Sequence, residues 1–128
     1  MEHTNTPKPR KPYEIRERLF VFACDVVRMS QKLHTRNRLA GNLCIQLVDA
    51  SVSAAANAEE ADDGSSRRDF LAKERITLRE LKEARLRLRV LRATDLMDES
   101  GDPLVQESIE LVKIVATIIR KAEPPPQR

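Results

Sequence analysis

Apolar residues recur along most of this chain at intervals of three and four, the spacing of one face of an α-helix. Ile15, Leu19, Phe22, Val26, Met29 and Leu33 form an unbroken stripe of that kind and predict a first helix over about residues 13–33. Phe20, Ala23 and Val27 add a second stripe, so this helix should touch more than one neighbour. The polar turn His34-Thr35-Arg36-Asn37 follows, with Thr35 and Asn37 both suited to capping a new helix.

The second predicted helix, about residues 38–62, changes character midway, from Leu39, Leu43, Leu47 and Val48 to the small-residue tract 50–58. Small side chains let helix axes come close, so the tract reads as a tight helix–helix contact. Gly64-Ser65-Ser66 breaks the chain, and Ser66 with Asp69 three residues on resembles a capping box that opens a third helix over about 67–94. Phe70, Thr77, Leu81, Ala84, Leu88 and Leu91 form its apolar stripe among many charges. After the turn 98–103, with Asp102 expected as N-cap and Pro103 at the first helical position, a fourth helix covers about 103–122. It carries Leu104, Leu111, Val115 and Ile118 along one line and Val105, Ile109, Val112, Ala116 and Ile119 along another. Short turns between four amphipathic helices predict an all-α, antiparallel up-down-up-down four-helix bundle over about 13–122. Residues 1–12 read as a flexible basic arm and 123–128 as a disordered Pro-rich tail.

Composition supports helices: 128 residues suit one domain, and with 3 Gly, no Trp and one Tyr a β-sandwich or barrel is excluded. The N-terminal segment has no apolar core of a secretory signal, and the longest apolar run, residues 114–119, is far short of a membrane span, so the expectation is a cytoplasmic protein without membrane contact. Cys24, Cys44, His3 and His34 are too few and scattered for a zinc site, and the two thiols read as reduced. Ser51, Ser53, Ser66 and the cysteines have no His placed for a nucleophilic pair, and no Gly-rich phosphate loop occurs. Glu59 and Glu60 lack the Glu-x-x-His pattern of bundle di-metal sites. The sequence therefore predicts neither an enzyme nor a bound cofactor. Asn57, the polar residue of the small tract, reads as a buried amide hydrogen-bonded across the bundle.

Charge adds what periodicity does not show. Residues 1–38 hold 9 basic and 4 acidic side chains, residues 39–64 none and 5, residues 65–95 10 and 5, and residues 96–128 4 and 6. The modest net charge of +3 conceals a division by helix. At about 100° per residue, Arg67, Arg68, Arg75, Arg79, Lys82, Arg85, Arg89 and Arg92 of the third helix share an arc of about 140°, with Glu74 the one acid inside it. Seven of the eight are Arg, whose planar fork suits phosphate oxygens. These eight are the candidate nucleic-acid-binding residues, with Lys8, Arg10 and Lys11 of the arm as a second contact. Aromatic residues do not interleave with the ridge, so RNA would be bound by backbone and shape rather than by base stacking.

Three blocks, Ser53-Ala54-Ala55-Ala56-Asn57-Ala58-Glu59-Glu60-Ala61, Ser66-Arg67-Arg68-Asp69-Phe70-Leu71-Ala72-Lys73 and Leu78-Arg79-Glu80-Leu81-Lys82-Glu83, together resemble the small four-helix-bundle proteins of the bacterial 23S ribosomal RNA intervening-sequence family. The resemblance spans about residues 13–122; Ala55 stands where the family usually has Gly, and Ala58 and Arg87 where aromatics are common. It implies a homo-oligomer, typically a pentameric ring, without known catalytic activity. The same fold occurs in accessory variability determinant proteins of diversity-generating retroelements, which act beside a reverse transcriptase and its template RNA. By that resemblance the expected partners are further copies of the chain, RNA or an RNA–protein complex, and a reverse transcriptase.

Overall fold

The computed structural model describes residues 12–64 and 66–125. Four helices follow in order, α1 (Pro12–Leu33), α2 (Arg38–Asp62), α3 (Arg67–Ala93) and α4 (Asp102–Ala122), with one 3-10 turn (Glu99–Gly101) before the last. No strand occurs among the described residues. Residues 1–11 of the expected arm, and with them Lys8, Arg10 and Lys11, lie outside the described residues, as do 126–128 of the tail.

The helix ends show why the chain breaks where it does. Asn37, not Thr35, caps α2, its Oδ1 accepting from the Ala40 N–H at 2.9 Å. Ser66 Oγ caps α3 by accepting from the Asp69 N–H at 3.1 Å. α3 closes at Thr94, and Asp95 turns the chain at φ 63°, so that the Met97 N–H reaches back to the Leu91 carbonyl at 3.0 Å. The start of α4 differs from expectation. Gly101 holds the cap position, Asp102 is the first helical residue, and its carboxylate accepts from Arg92 Nε at 2.8 Å instead of capping. The capping side chain sits earlier, where Asp98 Oδ1 accepts from the Ser100 N–H at 2.9 Å and closes the 3-10 turn.

α1 packs on α2 and α4, and α3 packs on α2 and α4, which places the helices at the corners of a square in sequence order. Ion pairs between helix ends fix the antiparallel sense. Arg16 near the start of α1 meets Asp62 at the end of α2 at 2.8 Å, and Arg75 in the first half of α3 meets Glu123 just beyond α4 at 2.9 Å. Leu19, Phe22 and Val26 of α1, Leu47 of α2, Leu81, Leu88 and Leu91 of α3, and Leu111 and Val115 of α4 fill the centre. Of the first predicted stripe, Met29 and Leu33 are only half-buried, because they lie towards the open end of α1. In α3, Phe70 is half-buried and Leu71 and Glu74 take the buried positions of the first two turns.

The small-residue tract makes the tight contact expected of it. Ala50, Ala54, Ala58 and Ala61 are buried, and Thr77 Oγ1 of α3 reaches the Ala54 carbonyl across the helix pair at 3.4 Å. Asn57 is a correction: its amide is half-buried and donates to the Ser53 carbonyl at 2.9 Å, within its own helix rather than across the bundle. Four residues apart on one helix, the two groups are natural neighbours, and the pair leaves the cross-bundle contact to alanines. By length and composition α2 matches a bilayer span; a third of that stretch is buried in the bundle, its alanine row against α3, while Leu39, Ile45 and Val52 are exposed.

Gly101 is packed under Met97. A Cβ there would lie well inside van der Waals contact of the Met97 sulfur, and Met97 is itself buried in the core. Gly101→Ala is therefore expected to lower stability by about 1–3 kcal/mol in urea unfolding, the cost of overpacking a site where the buried Met97 side chain must shift. Ala at the exposed Gln106 serves as the neutral control.

Candidate nucleic-acid interface

α3 meets α2 along one flank and α4 along the other, and its polar contacts show which residues face which way. Lys73 reaches Glu60 of α2 at 2.6 Å, and Arg87 Nε donates to Gln46 of α2 at 3.0 Å. Arg75 and Arg92 turn to the opposite side, to Glu123 and Asp102 at the two ends of α4. The predicted arc thus lies outward and on the α4 side of α3. Arg67, Arg68, Arg75, Arg79, Lys82 and Arg89 are exposed, whereas Arg85 and Arg92 are half-buried.

Two of the eight are already engaged. Arg75 is held by Glu123, and Arg92 by Asp102 at 2.8 Å with Asp95 at 4.0 Å, contacts that hold the Arg92 guanidinium above its ordinary pKa. Among the described residues, Arg67, Arg68, Arg79, Lys82, Arg85 and Arg89 make no hydrogen bond or ion pair. The structure thus brings together six uncommitted cations where the sequence offered eight. Arg side chains offer bidentate donors and Lys a point charge, groups that can engage phosphate oxygens.

Glu74 is the second correction. Helical projection puts it at the edge of the basic arc, but its side chain is 3% exposed and turns to the core. Burial first, and the nearby Asp62 carboxylate second, push its carboxyl up to about 7, and its Oε1 has no hydrogen-bond partner. The ridge is therefore free of its one expected acid. In the first turns of α3 the buried positions are 71 and 74 rather than 70, a shift that projection of the helix alone does not show.

Sequence reasoning also missed a cluster that joins α1 to α4. Arg18 donates through Nε to Glu107 at 2.6 Å and through Nη2 to Glu110 at 2.7 Å, all three side chains being partly buried. Residues 89 and more apart carry no local sequence signal of such a bridge. It occupies the acids of α4 on the side away from α3. Cys24 and Cys44 are free thiols, half-buried and buried, and burial pushes the Cys44 thiol up. Among the described residues no three His, Cys, Asp or Glu side chains group to hold a metal ion.

The opposite side of the bundle is apolar. Phe20 is 52% exposed on α1, and Val52 and Ile45 of α2 are 47% and 63% exposed. Phe20 and Val52 line a cleft of about 460 Å³ with Ala23, Val27 and Ala55, and Ile45 lines one of about 720 Å³ with Val48 and Gly41.

No family model matches the chain, and no curated protein is similar to it in sequence. Among solved structures it superposes on a protein of unknown function from the S23 ribosomal protein family of Bacteroides thetaiotaomicron with a TM-score of 0.75. The two are 25% identical, over 83% of this chain and 98% of that one. The chain shares the fold of an S23-family protein. That agrees with the resemblance carried by the three sequence blocks, two of which flank the α2–α3 turn. The likeness shown is one of fold, to a protein of that family.

Glu74 makes stability depend on pH. Its carboxyl titrates near 7 in the folded chain and near 4.5 in the unfolded one, so the folded state holds a proton that the unfolded state releases between those values. Stability is expected to fall by about 3 kcal/mol as pH rises from about 4.5 to 7 and to level off above. Urea unfolding across pH 4–8 checks this, and Glu74→Gln is expected to abolish that component of the slope.

Proposed function

We propose that this protein is a non-catalytic, cytoplasmic, RNA-associated adaptor that binds the nucleic-acid backbone through α3 and acts as a homo-oligomer. The observation that carries the reading is the set of six exposed or half-buried cations on one face of α3 that no acid engages. Each one costs solubility nothing and, unlike Arg75 and Arg92, holds no part of the bundle together. A backbone ligand that displaces counterions from such a row gains affinity in proportion to the phosphates it presents. The structural neighbour's family name points in the same direction.

Self-association is supported by the α1–α2 side. An open apolar face of this extent on a small domain is characteristic of a contact surface. It is rimmed by Arg28 on α1 and by Asp49 and Glu59 on α2, charges of opposite sign that suit packing against another copy. It lies across the bundle from the α3–α4 side, so copies joined there keep their ridges accessible. Five copies in a ring, as the resemblance implies, would multiply a weak phosphate contact by avidity.

A second reading has one specific observation in its favour. Leu86 and Val90 are 55% and 36% exposed beside the ridge, and apolar side chains add nothing to a phosphate contact. A protein scaffold, such as a reverse-transcriptase accessory protein with no direct RNA contact, would use both the cations and these two residues.

The deciding measurement is binding of the purified protein to a structured RNA over a salt series. Micromolar or tighter binding is expected, with a slope of log K against log salt of about −5 for six contacts. The triple variant Arg79→Glu, Lys82→Glu, Arg89→Glu should lose binding while its helicity and native mass persist. Absence of binding by the parent protein at low salt rejects direct RNA recognition in favour of the protein scaffold. Native mass spectrometry of the same sample should return a multiple of the 14.6 kDa chain.

A further inference from the structure

The ridge on α3 has a neighbour that its own sequence does not reveal. On α4, Asp102, Lys113 and Arg120 lie within about 20° of one another around the helix axis. Asp102 shows where that strip of α4 points, because its carboxylate meets Arg92 of α3 at 2.8 Å. Lys113 and Arg120 are exposed, and neither is in an ion pair; Arg120 only donates to Thr117 one turn back, at 3.3 Å.

The end pairs also fix the register. With Arg75 opposite Glu123 and Arg92 opposite Asp102, Lys113 stands about level with Lys82 and Arg85, and Arg120 about level with Arg75 and Arg79. Between those two pairs every acid of both helices is turned elsewhere. Glu107 and Glu110 are taken by Arg18 of α1, Glu83 pairs with Arg87, Glu74 is in the core, and Asp69 and Glu80 share, at about 100° per residue, the side of α3 on which Lys73 and Arg87 meet α2. The α3–α4 side is therefore one acid-free panel carrying two antiparallel tracks of cations, about 8–10 Å apart at the helix axes.

Resting on the reading of α3 as an RNA-binding face, we infer that the ligand of this panel is double-stranded RNA, with α3 following one strand and Lys113 and Arg120 of α4 contacting the other. A single strand offers one line of phosphates, which α3 alone satisfies, and leaves its bases to be covered. The panel has nothing to cover them with, since Phe70, the one aromatic residue on α3 or α4, is half-buried at the end of the ridge. A duplex hides its bases and presents two backbones across a wide, shallow minor groove, which two parallel rows of charge can meet without reading sequence.

The test uses the full chain, a 20-base-pair RNA duplex, one of its strands alone, and the DNA duplex of the same sequence, by fluorescence anisotropy over a salt series. Lys113→Gln combined with Arg120→Gln removes both α4 charges at exposed positions, and circular dichroism checks that the fold persists. The double variant is expected to bind the RNA duplex roughly ten- to sixtyfold more weakly at 0.1 M salt, with a salt slope shallower by about 2, and the single strand as the parent does. Unchanged duplex binding by this variant, with binding still lost in the α3 triple variant, overturns the role of α4 and leaves α3 as the RNA contact. Tighter binding of the single strand, or equal binding of the DNA duplex, overturns duplex RNA as the ligand. Failure of the parent to bind any of the three overturns the RNA reading itself.

Discussion

The close approach of α2 and α3 governs the rest of the molecule. Ala50, Ala54, Ala58 and Ala61 recur at about one helical turn along the buried face of α2, and Ser51 beside them is fully buried as well. With no bulk between the axes, α3 lies against that row along its length, and Thr77 bonds to the Ala54 carbonyl. Leu81, Ala84, Leu88 and Leu91 then have only one direction in which to reach the core. Once that face of α3 is set, Lys73 and Arg87 on its α2 flank reach α2, and the eight cations of the arc have the α4 side and solvent left to them. The charge surface is thus a consequence of the alanine contact.

The same contact explains how Glu74 can be buried. At the next turn from Thr77 on the core side of α3, it is carried under the α2 end by the approach of the two helices. A protonated carboxyl needs no counter-charge, and with its pKa raised to about 7 the group costs less than a buried ion. Elsewhere the bundle pairs its inward charges instead, as Arg18 does with Glu107 and Glu110. Arg16 and Asp62 do the same at the rim. The two solutions separate by position: Glu74 has an acid as its charged neighbour, Arg18 has two partners on a helix that faces it.

Much of the architecture was legible because helical periodicity and turn chemistry report on local physics. The predicted ends of all four helices lie within one residue of the observed ones, since Asn37, Ser66 and Pro103 act within a single turn of the residues that reveal them. What the sequence could not supply were relations between helices. Whether Asp102 caps α4 or grips Arg92 depends on α3 standing beside it. Whether Asn57 crosses the bundle depends on the space left by the alanines, and whether Glu74, at the edge of the arc, joins the core or the ridge depends on the helices packed against it. Periodicity puts the eight candidate cations on one arc, but only the fold shows that Arg75 and Arg92 are occupied by the ends of α4.

Those two occupied arginines turn a charged helix into a bounded surface. At each end of the α3–α4 side an acid neutralises one cation and stitches the helices together, so repulsion along the ridge is relieved where the pair would otherwise splay. Between the stitches nothing neutralises the charge, and the acids that might have done so are drawn to α1 by Arg18. Solubility alone does not require that division, because interspersed signs serve it equally well. Under the proposed RNA-binding reading, a surface that keeps its cations uncommitted in the middle and committed at its ends holds its shape for an external anion. The apolar α1–α2 side across the bundle leaves that surface clear of whatever contacts the other face makes.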